Sequence, residues 1–169
     1  MDGTLLIALA IVGFIALIVA AVTIKSQKQA AKRKSDMLDV FNRIVAEEQL
    51  TISQKEMLKH RIFGIDELKM VLIVVQSNED VHYDIIQLSL LTGCHLKHGG
   101  TKITERSKSG KRTSEEHVSE IFLSLTLENK AVIDIPVYKE LYDGILEKQN
   151  LAKFGERWQG IIRKSLIRA

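Results

Sequence analysis

Residues 3–24, GTLLIALAIVGFIALIVAAVTI, carry no charge and are apolar apart from Thr4 and Thr23. At about 1.5 Å per residue, a helix over this stretch is about 33 Å long, enough to cross the hydrocarbon core of a bilayer. A buried core helix is a poor alternative, because a chain of 169 residues has little core with which to cover so long a helix on all sides. A cleaved signal peptide is the stronger rival, since Val19-Ala20-Ala21 supplies the small residues expected before a cleavage site. Against it, Asp2 is the only charge ahead of the stretch, and the apolar run exceeds the usual h-region of about 7–15 residues. Residues 1–25 are therefore expected to be a transmembrane anchor.

The flanks set the expected orientation. Lys25, Lys28, Lys32, Arg33 and Lys34 follow the apolar stretch, and only Met1 and Asp2 precede it. Positive charge stays on the cytoplasmic side, so the N-terminus is expected outside and the rest of the chain inside the cell membrane. The same five residues can hold anionic headgroups, at about 1 kcal/mol each near the surface. Ala8, Val12, Ala16 and Ala20 form a small-residue stripe that would let two such helices approach and form a homodimer.

Beyond the anchor remain about 145 residues, one domain's worth. Net charge is +3, and most of the excess lies beside the apolar stretch. Cys94 is the only cysteine, so no internal disulfide can form, which suits a reducing cytoplasm.

Residues 26–50 read as a juxtamembrane or linker helix. Met37, Leu38, Phe41, Ile44 and Val45 recur at helical spacing, which suits either a coiled-coil seam or packing on the chain's own domain. Residues 51–61 read as a second short helix, because Ser53 and Glu56 have capping-box spacing. From Ile62 the pattern changes to strands. Met70-Val71-Leu72-Ile73-Val74-Val75 is a continuous β-branched run, expected as a strand buried on both faces between turns at Asp66-Glu67 and at residues 77–80. Residues 81–91 fit a strand or a helix; a hairpin with residues 70–76 favours the strand. Further strand is expected over 93–104 with a turn at Gly99-Gly100, and a polar, mobile loop over 105–116. Residues 120–128 and 131–137 alternate around Asn129-Lys130, a hairpin signal, with Pro136 suited to an edge. Residues 151–167 form an amphipathic helix with Leu151, Phe154, Trp158, Ile161, Ile162 and Leu166 on one side. That side is expected to cap a β core, although a basic helix of this kind can also lie on a membrane.

The turn at Gly64-Ile65-Asp66-Glu67, the stretch Ile85-Ile86-Gln87-Leu88 and the placing of Trp158 four residues before Ile162 resemble the pleckstrin-homology-like (PH-like) domains of small bacterial membrane-anchored proteins. The resemblance covers residues 60–169. It implies an antiparallel sheet or half-barrel closed by the C-terminal amphipathic helix, so the expected class is α+β: a transmembrane helix, a linker, then a soluble β-rich domain over 51–169. In that class the loops between strands bind phosphoinositides, peptides or other proteins, and no binding residue carries over to this chain.

No catalytic or cofactor motif emerges. Cys94, His95 and His98 are the nearest approach to a metal cluster, but no CxxC or HExxH accompanies them, and no orienting acid or oxyanion device supports a Cys94–His98 dyad. Gly110-Lys111 lacks the first glycine of a P-loop, since position 105 is Glu105. Nucleic-acid binding lacks interleaved aromatics. The expected function is a non-enzymatic module, without metal or cofactor, that binds a partner protein at the cytoplasmic membrane face. The alternative is recognition of anionic lipid by Lys25, Lys28, Lys32, Arg33 and Lys34 together with Arg106, Lys108, Lys111 and Arg112. An enzyme is the third reading.

Overall fold

A computed structural model describes the backbone of residues 3–77, 80–106 and 112–168, and within these the side chains of residues 13, 14, 17, 19–77, 80–100 and 117–167. The chain begins with one continuous helix, α1 (Gly3–Glu47). Thus the helix expected from residue 26 continues the apolar segment without a break. Gln49, at φ 52°, ends it: Leu50 N donates to Val45 O at 2.9 Å and Gln49 N to Ala46 O at 3.2 Å, which satisfies the last carbonyls of the helix.

Among the described residues, seven antiparallel strands follow in two sheets. The first has the order β1 (Gln54–Met57), β2 (Arg61–Asp66), β3 (Val71–Ser77) and β4 (Val81–Gln87). The second contains β5 (Leu91–Arg106), β6 (Arg112–Leu127) and β7 (Val132–Lys139). A short 3-10 turn, Leu88–Leu90, joins the sheets, and a short helix α2 (Glu140–Asp143) with a second 3-10 turn, Ile145–Glu147, leads into α3 (Lys148–Arg168). The architecture is α+β, with two antiparallel sheets and a C-terminal helix; among the described residues no ladder closes the sheets into a barrel.

Strands β2 and β3, the middle of the first sheet, are buried on both faces, as the apolar run of β3 requires. Phe63, Ile65, Leu72 and Val74 point to the main core, shared with Leu123, Leu125, Ile135 and Val137 of the second sheet and with Phe154, Trp158 and Ile162 of α3. The alternate residues Ile62, Val71, Ile73 and Val75 face the other way and are covered by Met37, Phe41 and Ile44 of α1. The apolar stripe of α1 therefore packs on the chain's own domain, the second of the two uses its spacing allowed.

Gly64 shows how closely α1 is seated. A Cβ at this position would lie 2.5 Å from Phe41 Cζ and 2.7 Å from Cε2. Gly64→Ala is expected to destabilise the domain by about 1–3 kcal/mol through overpacking, read as a lower melting temperature. Adding Phe41→Leu should recover part of the loss; strictly additive effects would mean that the ring does not occupy this notch.

Several sequence expectations hold. Residues 81–87 are strand, paired with β3 from Val71↔Gln87 to Ser77↔Val81. The turn after Asp66 forms because its carboxylate accepts the N–H groups of Leu68 and Lys69, both at 2.9 Å, and of Thr51 at 2.6 Å. Burial pushes the Asp66 carboxyl up, but those three donors outweigh it and hold the group below its ordinary value. The β6–β7 hairpin turns at Asn129-Lys130, with Lys130 at φ 66°. Strand β7 is an edge, where Pro136 is tolerated.

Three expectations are corrected. Residues 51–61 are not a helix but the start of the β1–β2 hairpin. Ser53 Oγ donates to Ile65 O at 2.9 Å, and Glu56 binds Arg157 and Trp158 of α3, so both capping-box partners are taken by tertiary contacts. Gly99-Gly100 is not a turn but a register shift inside β5, where a Cβ on Gly100 would lie 2.1 Å from His117 O. The loop expected at 105–116 is largely ladder, paired to Arg106↔Arg112, and residues 107–111 lie outside the described residues. So do residues 78–79 of the turn expected at 77–80.

Among the described residues no helix is long and apolar enough to cross a membrane. Most side chains of the stretch 3–24, including those of Ala8, Val12 and Ala16, lie outside the described residues. Those that are described at its C-terminal end, Phe14, Leu17, Val19, Val22 and Ile24, are exposed along α1 with no protein cover.

Candidate functional site

Lys25, Lys28, Lys32 and Lys34 are exposed on α1, and Arg33 is half-buried. The structure does not bring this group together with the other basic residues on any described contact. Arg106 and Arg112 are opposite each other at the far end of the β5–β6 ladder, their side chains outside the described residues, as are Lys108 and Lys111 altogether.

A different set of residues meets α1. Ser26, Gln29, Ala30 and Arg33 form one wall of a crevice of about 310 Å³ whose other walls are Lys59 and His60, from the β1–β2 turn, and Leu141 and Tyr142 of α2. Lys59 and Leu58 also border a groove of about 510 Å³ under residues 143–147. Burial and the neighbouring Lys59 hold the His60 imidazole below its ordinary value, so it is neutral at pH 7. The segment after β7 thus stands beside the part of α1 that follows the apolar stretch. Its apolar residues are uncovered: Leu141 is 85 % exposed, Ile145 66 % and Leu146 93 %.

Segment 140–147 is held in place by a buried latch. Arg61 is fully buried; its Nη1 donates to Val137 O at 3.2 Å and to both carboxylate oxygens of Asp143 at 3.1 Å. Asp143 Oδ2 also accepts the N–H of Lys139 at 2.8 Å. Among the described residues, Arg61 Nε and Nη2 and the Tyr138 hydroxyl have no hydrogen-bond partner. Burial, with Glu140 and Asp143 nearby, pushes the Tyr138 hydroxyl up. His117 Nε2 and Glu140 Oε2, 2.7 Å apart, tie the start of α2 to β6.

Cys94 is buried in the core, and burial pushes its thiol up to about 12, although Arg163 nearby pulls the other way. A thiol held protonated is a poor nucleophile. Its carbonyl accepts Arg163 Nε at 2.8 Å and Gln159 Nε2 at 3.2 Å, which fastens α3 to β5. His95 and His98 are exposed on β5, and among the described residues no three His, Cys, Asp or Glu side chains are placed to hold a metal ion.

Another uncovered apolar surface is on β4. Tyr83 and Ile85 lie in register with Val75 and Ile73, on the face that α1 covers over β2 and β3. The helix does not reach β4 fully, so Tyr83 stays 51 % exposed and Ile85 42 %. Among the described residues β4 pairs with β3 alone, leaving its outer backbone edge open.

Sequence reasoning missed Lys59, Leu141, Ile145 and Leu146. A usable signal existed in the last three: they are large apolar residues around Gly144, outside the alternation of β7 and outside the stripe of α3. No protein-family model matches the chain, and neither a curated protein nor a solved structure matches it significantly.

Proposed function

We infer that the chain is a single-pass, non-enzymatic membrane protein whose PH-like cytoplasmic domain binds a partner protein through the open edge of β4. The following features support the tether and the fold. The stretch 3–24 is uncharged and its backbone is helical throughout, its described apolar side chains have no protein cover, and five basic residues follow it. The division into four and three antiparallel strands with a C-terminal helix packed into the core suits a PH-like half-barrel. Because α1 runs without interruption into its seat on the first sheet, the domain would be held at a fixed distance from the bilayer.

The partner reading rests on β4. Alternate residues along its seven-residue length point their N–H and C=O groups outward, and Tyr83 and Ile85 add an apolar strip beside them. An extended segment of a partner would pair with this edge through backbone hydrogen bonds and cover both side chains. Tyr83→Lys and Ile85→Lys are tested by co-purification from detergent-solubilised membranes. Both variants are expected to lose the partner recovered with the parent while melting close to it, since both positions are exposed. Recovery of the same partner in undiminished yield would rule out the β4 edge.

A further inference from the structure

We propose that segment 141–146 is a second membrane contact: Leu141, Ile145 and Leu146 enter the interfacial layer of the bilayer while Lys59 and Arg33 face anionic headgroups. This rests on the anchor reading given above. If Ile24 marks the end of the hydrocarbon span, Ser26 lies about 3 Å and Gln29 about 7 Å further along the helix axis. The headgroup layer is roughly 5–7 Å thick on each side of the core. Leu141 lines the same crevice as Ser26, Gln29, Ala30 and Arg33, which run from about 3 to about 14 Å beyond Ile24, so the crevice extends outward from the headgroup layer.

The chemistry of the segment fits that layer. Three large apolar side chains in a short stretch around Gly144 are left largely to solvent, a costly arrangement in water and a favourable one in the interface. The cations around them come from two elements: Arg33 of α1 and Lys59 of the β1–β2 turn line the crevice with Leu141, and Lys59 also borders the groove with Ile145 and Leu146. The acids of the segment are engaged: Asp143 with Arg61, Glu140 with His117, and Glu147 with Asn150. The latch to Arg61 keeps the segment from folding back, and an anchor plus this contact would fix the domain's orientation as well as its distance.

The test uses the full chain in nanodiscs of phosphatidylcholine, with and without phosphatidylglycerol. Single nitroxide labels are placed at Leu17→Cys, Leu141→Cys, Leu146→Cys and Asn129→Cys in a Cys94→Ala background. Asn129 is at the opposite end of β7 from α2 and reports the water-facing side. Electron paramagnetic resonance then compares collisions with oxygen, which partitions into lipid, and with a water-soluble nickel chelate. The ratio of oxygen to nickel collisions at 141 and 146 is expected to be several-fold above that at 129, and higher with phosphatidylglycerol present. If 141 and 146 match 129 while 17 reports hydrocarbon, the second contact is overturned and the anchor stands. If 17 is itself open to the nickel chelate, the anchor reading falls and this inference falls with it.

Discussion

Trp158→Ala is expected to destabilise the domain by about 3–5 kcal/mol, the usual cost of removing a large core aromatic. The indole is buried in the main core, with its ring centroid 5.1 Å from that of Phe63 and 6.0 Å from that of Phe154. Its Nε1 also donates to Glu56 Oε2 at 3.0 Å, so one side chain joins α3 to β2 and to β1. Small domains are stable by only about 5–15 kcal/mol, so this single change would remove a large part of the total. Trp158→Phe keeps an aromatic ring in place and mainly loses the hydrogen bond, for which about 1 kcal/mol is expected. Melting of the detergent-solubilised chain, followed by circular dichroism, separates the two. A Trp158→Ala variant that melts with the parent would mean that α3 is not the cover of this core.

The parts of the fold that were legible in the sequence are those whose hydrophobic period is set locally. Val71 to Val75 read as a doubly buried strand because every residue is apolar and most are β-branched, and that strand lies between α1 and the main core. Ile121, Leu123 and Leu125 alternate with Phe122, Ser124 and Thr126, and the sheet face follows. The stripe of α3 was equally plain. Illegible parts were those where a distant partner decides. Ser53 and Glu56 have the spacing of a helix cap, yet Ser53 binds Ile65 and Glu56 binds a helix 101 positions away. Gly99 and Gly100 signalled a turn, whereas the backbone of His117 across the ladder needs a residue without Cβ. The candidate site suffered most from this. Of the basic residues that stood out by clustering in sequence, Lys108, Lys111 and the side chains of Arg106 and Arg112 lie outside the described residues, and Lys59 meets Arg33 and Leu141 only because the β1–β2 turn, α1 and α2 converge.

Arg61 is the clearest case of a residue with no local signature, and it carries the second large effect. Its partner Asp143 is 82 positions away, and together they join β2 to the segment that presents Leu141, Ile145 and Leu146. Asp143→Ala is expected to cost about 3–5 kcal/mol, because it leaves a buried guanidinium with only the Val137 carbonyl as acceptor. The energy lies in the stranded charge more than in the lost pair. Consequently Arg61→Met combined with Asp143→Ala should be more stable than Asp143→Ala alone, since an unbranched apolar side chain of similar length fills the space without a charge to desolvate. Chemical denaturation of the two variants and the Arg61→Met single variant gives the coupling between the positions. Additive costs would show that the ion pair is not what holds α2 in place. A strong coupling would leave the double variant folded but without its latch, and labels at 141 and 146 in that variant would then report whether the segment keeps its place beside α1 by apolar contact alone.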